Sequence, residues 1–317
     1  MKIRDTIVKK AREGKMEIYQ LETMQKCEIT ENTIVALGTF DGCHRGHASV
    51  LMNAFYESKR KGLKSVAYTF SAIPRGQDIK SLMTTEEKIK EIKKYGIDYI
   101  AIEDFDSVKG LTPKEFYEQI LKGKLKAQGA SCGFNYRFGK NASGNGQVLE
   151  EFFENDGGSV VISEKVPLEN QALSSTILRK MVEDGDVEGV KNYMPPYSIF
   201  SKVEEGKKLG RQLGFPTINQ QIPKAKAVPK RGVYIAECYI GEDTYPCVTN
   251  VGVRPTVETG ASVNVESHII GFSGDLYGSY IRVVFHKYLR GERAFGSVEE
   301  LKAEIEKNAK QAKEYFK

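Results

Sequence analysis

The sequence predicts a two-part architecture: an α/β domain built on a parallel sheet, followed by an antiparallel all-β domain, barrel or sandwich, that ends in one helix. Three observations carry this expectation. Strand-like and helix-like segments alternate through the first half of the chain, as they do where helices cover both faces of a parallel sheet. The apolar period becomes mostly two beyond MPPYS (194–198), where Pro195 and Pro196 cannot continue a helix. The closing stretch SVEELKAEIEKNAKQAKEYF is amphipathic, with Ser297 as cap and Glu300 three residues on. A length of 317 residues suits one very large domain or two ordinary ones.

Taken in order, residues 1–15 form a basic arm with six Lys/Arg against Asp5 and Glu13. MEIYQL from Met16 reads as a strand. VALGTF (35–40) reads as a buried strand and leads into a helix from about His47 to Lys61. SVAYTF (65–70) is a second buried strand, and TTEEKIKEIKKYG (84–96) a helix with a Thr start, early glutamates and a Gly stop. YIAIEDF (99–105) is a strand, and TPKEFYEQILKG (112–123) a helix with Pro at its first position. Then follow a strand at KAQGASCG (126–133), a helix at VLEEFFENDGG and a strand at SVVISEKV (159–166). Two short helices, SSTILRKMVEDG and DVEGVKNYM, precede the boundary. Beyond it GVYIAECYIG, TYPCVTNVGV, NVESHIIGF and YIRVVFHKYLR are strands punctuated by Gly and Pro.

Composition narrows the function classes. The 40% hydrophobic and 28% charged residues fit a soluble globular protein, and no apolar run reaches the length of a bilayer span. The N-terminus has no apolar signal core, so a cytoplasmic protein is expected. Of the net charge of +5, the first fifteen residues hold +4, so the body is near neutral. Nucleic-acid binding is not expected of such a chain, which also has no basic–aromatic platform. Five scattered cysteines without a CxxC suggest neither a disulfide framework nor structural zinc. Cys43 reads as a small filler residue in a turn rather than a nucleophile.

LGTFDGCHRGH (37–47) is the first chemical signal. It lies between a strand and a helix, at the carboxyl end where open parallel sheets bind ligands. Its glycines let backbone N–H groups approach a phosphate, and the helix start favours an anion. His44 and His47 suit phosphate oxygens and the charge of phosphoryl or nucleotidyl transfer. A zinc reading is weaker, because helical zinc pairs prefer a spacing of four. LSSTILRKM (173–181) offers Ser174, Ser175, Thr176 and Arg179 at another helix start, an anion cradle or an ordinary cap.

KKLGRQLGFPTINQQIP (207–223) opens the second domain's chemistry. Gly210 and Gly214 flank a loop. Thr217 and Asn219 then share one side of an extended segment, where a hydroxyl and an amide oxygen can hold Mg²⁺ together with ATP phosphates. In NVESHIIGF, Glu266 is either on a solvated face or a general base for a hydroxyl nucleophile. His268 faces the same way.

The set GTFDGCHRGH, GFNYRFGK, SSTILR, GRQLGFPTIN, GVY, NVGVRPT, VESHIIGFSGDLYG and LRGERAF followed by SVEEL, in this order, resembles the bacterial bifunctional riboflavin kinase/FAD synthetase (FMN adenylyltransferase) family. The likeness runs from about residue 16 to the end. It implies a Rossmann-like HxGH nucleotidyltransferase domain over 16–194 and an antiparallel β-barrel kinase domain with a C-terminal helix over 195–317. ATP, riboflavin and FMN would be substrates and Mg²⁺ the cofactor. Partners would be small molecules, without nucleic acid or membrane, in a monomer or weak homo-oligomer. Residue by residue, the resemblance implies that His44 and His47 are catalytic in the first site, where Gly38, Phe40, Asp41, Gly46, Ser174, Ser175, Thr176 and Arg179 bind ATP and its leaving pyrophosphate. Asn135, Phe138 and Gly139 would line the flavin pocket. In the kinase, Gly210 and Gly214 would bind phosphate, Thr217 and Asn219 Mg²⁺, Arg290 the flavin, and Glu266 would take the ribityl proton. The chain departs from the family pattern where TFSAIPRGQ lacks a histidine, and at Ser201 and Gly271.

Overall fold

The computed structural model describes residues 17–20, 29–73, 79–168, 171–206, 210, 213–254 and 262–317. The basic arm, Pro74, Lys207–Leu209 and the end of NVGVRPT lie outside the described residues. The chain divides into two compact units, 1–175 and 176–317.

In the first unit, β1 (Glu17–Gln20), β2 (Thr33–Leu37), β3 (Lys64–Phe70), β4 (Tyr99–Glu103), β5 (Ala127–Gly133) and β6 (Ser159–Ser163) form one parallel sheet in the order β1-β4-β3-β2-β5-β6. From β2 the chain steps outward to β3 and β4, then returns to lay β5 on the other edge of β2. The carboxyl ends of β2 and β5 therefore flank the place where the connections diverge, and a parallel sheet binds its ligands there. Strand β2 is wholly buried (TIVAL), as expected of a central parallel strand.

Helix α1 (Arg45–Lys61) stops at Gly62, whose φ of 67° is a left-handed cap. Helix α2 (Thr85–Lys93) starts with a reciprocal capping box between Thr84 and Glu87. Helix α3 has the expected Thr112 cap and Pro113 start, but after Glu115 it runs in π register over Phe116–Lys124. The wider turn brings Phe116, Tyr117, Ile120 and Leu121 together against the sheet. Helix α4 (Gly146–Asn155) adds Leu149 and Phe153 to that core. Between β5 and α4 stands a small hairpin, Arg137–Phe138 paired with Gly144–Asn145.

Helices α5 (Ser175–Asp184) and α6 (Val187–Val190) follow. The division between the compact units falls after the first residue of α5, and both helices are bonded to residues of the second unit: Lys230 donates its amide to the Val182 carbonyl, and Lys287 pairs with Glu188. The second unit is a closed antiparallel barrel of β7 (Ser198–Glu204), β8 (Thr217–Gln221), β9 (Gly232–Ile240), β10 (Asp243–Arg254), β11 (Ser262–Ile269) and β12 (Tyr280–Arg290), in the order β7-β8-β11-β10-β9-β12. Closure settles the choice between barrel and sandwich. Strand β9 is nearly continuous in burial because it is covered twice. Val233 and Ile235 pack with Ala312 beneath α7 (Val298–Tyr315), and the alternate residue Tyr234 packs on Phe285.

Candidate active sites

Strand β2 ends at Leu37, short of the expected Phe40, because the backbone then turns left-handed: φ is 50° at Phe40, 83° at Gly42 and 40° at Cys43. Two of these are not glycine, so the loop holds conformations that its surroundings must enforce. Phe40 is fully buried with its ring under Gly38, where a Cβ would come within 2.8 Å of the ring. The same ring meets His47 edge-on at 5.4 Å. Asp41 is buried, and its Oδ1 accepts the amides of Leu82 (2.8 Å) and Met83 (3.2 Å), just before α2. Cys43 donates its thiol to the Phe40 carbonyl, and burial pushes that thiol up to about 12, so it is not a nucleophile at neutral pH.

His44 caps α1, its Nδ1 accepting the His47 amide at 3.3 Å. The two rings stack, with centroids 3.7 Å apart and planes 17° from parallel. Gly46 makes room for this: a Cβ there would crowd the His44 ring at 3.1 Å. Burial pulls His44 down to about 4. His47 lies well below its ordinary range through burial, then the neighbouring His44, then Lys88. Both are therefore neutral at pH 7. With Nδ1 of His44 used as acceptor, its proton sits on Nε2, a donor. Among the described residues, the buried His47 Nδ1 has no hydrogen-bond partner.

Ser175 reaches this loop, its hydroxyl donating to the Asp41 carbonyl at 2.8 Å. Ser174 immediately precedes α5, while Thr176 and Arg179 lie along it, on the far side of the division between units.

On the barrel, β8 and β11 are adjacent antiparallel strands. Asn219 stands opposite Glu266, and Thr217 opposite His268. Four candidates from two distant segments thus occupy two rungs of one face. The rung beyond holds Asn264, which sequence reasoning missed. Its Nδ2 donates to Asn219 Oδ1 (3.2 Å) and Glu266 Oε1 (3.0 Å). The signal was there: Asn264 is two residues before Glu266, hence on the same face of a strand. His268 is held by the Pro216 carbonyl at 3.0 Å and by the Phe215 ring. Gly210 closes the loop before β8, its carbonyl accepting the Phe215 amide at 2.8 Å, and a Cβ on it would strike the Phe215 oxygen at 2.4 Å. Gly214 has a φ of 88°.

Among the described residues no group of three or more His, Cys, Asp or Glu could hold a metal ion. The Thr217 hydroxyl and the Asn219 amide are instead neutral hard-oxygen donors. They suit Mg²⁺ whose remaining ligands come from a nucleotide.

A riboflavin kinase family model matches residues 193–316, and an FAD synthetase family model matches residues 26–177. The bifunctional riboflavin kinase/FMN adenylyltransferase of Bacillus subtilis is 32% identical over 299 residues, covering 91% of this chain and 94% of that protein. This chain belongs to the bifunctional riboflavin kinase/FMN adenylyltransferase family. The family's enzyme from Escherichia coli K12 is 31% identical, with 90% of this chain and 93% of that one covered. The one from Pseudomonas fluorescens is 32% identical, with 86% and 89% covered. A crystal structure of a macrolide-efflux protein from Streptococcus pneumoniae superposes with a TM-score of 0.84 at 25% identity, covering 94% of this chain and 98% of that one. No helix among the described residues of this family member is long and apolar enough to cross a membrane.

The family's expected flavin residues sit as follows. Asn135 is exposed at the tip beyond β5. Phe138 is buried, stacked on Tyr136 (5.7 Å) and leaning on Phe116 (5.5 Å), so it anchors the hairpin in the core. Gly139 follows with φ 71°, packed against Pro113. In the kinase unit Arg290 is engaged by α7: Nε donates to Glu304 (3.1 Å) and Nη2 to Asn308 (3.1 Å). Arg293 joins Glu304 at 2.7 Å. Beside this network Arg293, Phe295 and Lys307 line a cavity of about 450 Å³. Phe215, His268 and Lys310 line another of about 390 Å³.

Proposed function

We propose that this chain carries out both reactions of its family. ATP phosphorylates riboflavin to FMN on the barrel; a second ATP then adenylylates FMN to FAD, releasing pyrophosphate, at the histidine loop. The observation that carries the kinase assignment is the pairing of Asn219 with Glu266 across one ladder, where Asn264 holds both side chains. Glu266 takes the proton of the ribityl hydroxyl as its oxygen attacks the γ-phosphorus, and ADP leaves. Mg²⁺, held by Thr217, Asn219 and ATP phosphates, would neutralise phosphate charge there.

The adenylylation needs no base of comparable strength, because FMN already presents a phosphate oxygen to the α-phosphorus. What it needs is position and charge stabilisation. His44 supplies Nε2–H, His47 supplies its imidazole, and Gly38, Phe40, Asp41 and Gly46 shape the loop. Ser174, Ser175, Thr176 and Arg179 would receive the pyrophosphate. The flavin would be met by Asn135 and the hairpin carrying Phe138 and Gly139, with Arg290, Gly210 and Gly214 shaping the kinase pocket. The catalytic domains would run 16–194 and 195–317, in a cytoplasmic enzyme that is a monomer or weak homo-oligomer.

The test is a time course with riboflavin, ATP and Mg²⁺, flavins being separated by chromatography. FMN should rise and then give way to FAD. FMN as a stable end product would remove the adenylyltransferase assignment, and no conversion of riboflavin would remove the kinase.

A further inference from the structure

Behind the histidine loop lies a buried cation that the family reading leaves without a role. Lys88 projects from α2 and is only 7% exposed. Its Nζ donates to the Thr39 carbonyl (3.1 Å), the Thr69 hydroxyl (3.3 Å) and the Phe70 carbonyl (2.8 Å). Thr39 belongs to the loop after β2, and Thr69 and Phe70 close β3. The Thr69 hydroxyl donates in turn to the Thr39 carbonyl at 2.9 Å. One ammonium thus ties together the carboxyl ends of the two central strands beside the switch point. The loop answers from the other side, where Asp41 holds the amides of Leu82 and Met83 at the approach to α2. Loop and helix are cross-braced by opposite charges.

A surface lysine would do as a clamp only weakly, since water screens its charge. A buried ammonium keeps its field. That field reaches His47, whose pKa it helps to depress. We propose that Lys88 is a positioning residue of the adenylyltransferase: it fixes the Thr39–Asp41 loop on β3 and, while protonated, sets a positive charge behind the histidines, where the ATP phosphates gain negative charge during transfer. The proposal rests on the histidine loop being the ATP site.

Titration of the amine gives the readout. Burial, opposed by Asp41 and Cys43, lowers Lys88 to about 8. Among the described residues, Asp41 and Cys43 from the loop and His47 from α1 interact with its charge, and β3 contributes the Thr69 hydroxyl and the Phe70 carbonyl. Burial pushes Cys43 up to about 12 and His47 well below its ordinary range, so of these three titratable neighbours neither Cys43 nor His47 changes charge near pH 8, where the amine does.

The experiment uses the full chain as wild type, Lys88→Met, Lys88→Arg and His47→Ala. FMN adenylylation is followed from about pH 6.5 to 9.5, with riboflavin phosphorylation as internal control. Wild-type kcat should fall as pH rises through about 8. Lys88→Met should lose about tenfold or more in kcat with a smaller change in KM for ATP, and should lack the alkaline fall. Lys88→Arg should regain rate and also lack the fall, because a guanidinium does not titrate in this range. If Lys88→Met does not fold, Lys88→Arg decides: an alkaline fall that persists in it rejects the proposal. A wild-type kcat in Lys88→Met rejects it too. If His47→Ala leaves adenylylation intact, the site reading fails; loss in His47→Ala with no change in either Lys88 variant overturns the Lys88 inference alone.

Discussion

His44 shows how much one side chain can be asked to do. It caps a helix through Nδ1 and stacks on its partner, and Nδ1 can accept the His47 amide only while the ring is neutral. The cost appears in acid. Its folded pKa, about 4, lies below the unfolded value of 6.5, so the unfolded chain binds a proton that the folded chain refuses. Stability contributed by this residue is complete above pH 6.5, declines as pH falls, and is gone below about 4, a loss of roughly 3 kcal/mol. His44→Asn keeps an N-cap acceptor without the titration; urea unfolding at several pH values should show a shallower acid slope for it. His47→Ala should lower FAD formation about 10²–10³-fold while FMN formation is unchanged. Glu266→Gln should lower FMN formation about 10²–10⁴-fold and spare adenylylation of supplied FMN; both are read by the same product assay. The sequence nominates His44, His47, Thr217, Asn219 and Glu266 through their motifs and the family resemblance, and the rungs that join the last three to one face of the barrel appear only in the fold. Lys88 it leaves unmarked: in TTEEKIKEIKKYG it is one of several lysines on a charged helix, and only the tertiary fold turns it inward.

At the scale of elements, the alternation of strand and helix was readable because the central strands β2, β3 and β4 are short buried runs with β-branched residues and several helices carry their own cap signals. Thr84 with Glu87 and Thr112 with Glu115 form the boxes their spacing implies. The π register of Phe116–Lys124 was hidden, since its apolar residues also satisfy an α period. The two-residue strands of the Phe138 hairpin are too short to show a period at all. Helix α7 depends on Glu304, a buried carboxylate between Arg290 and Arg293. Glu304→Ala would leave Arg290 facing a gap, although half-exposed Arg293 can return to water. A stability loss of about 2 kcal/mol is expected in urea unfolding. Riboflavin phosphorylation should suffer more than adenylylation, as α7 packs on the barrel strands.

At the scale of the molecule, each compact unit solves the strand problem differently. The barrel joins β7 to β12 and closes its ladder, whereas among the described residues the sheet of the first unit remains open, with β1 and β6 at its outer positions. Pro195 and Pro196 mark where the helices stop, and α5 and α6 are already bonded to residues of the second unit before the prolines are reached. The open sheet carries a consequence for handling this protein. Unpaired strand edges are templates for other chains, and a closed barrel offers none. Parallel strands also pair across long loops and form slowly. On dilution from denaturant, losses to aggregation should therefore grow with protein concentration and take both activities out of solution together, since each captured sheet carries its barrel with it. Refolding yields measured at a series of concentrations, with both activities assayed, check this: a yield that does not depend on concentration would show that the open edges snare no neighbours.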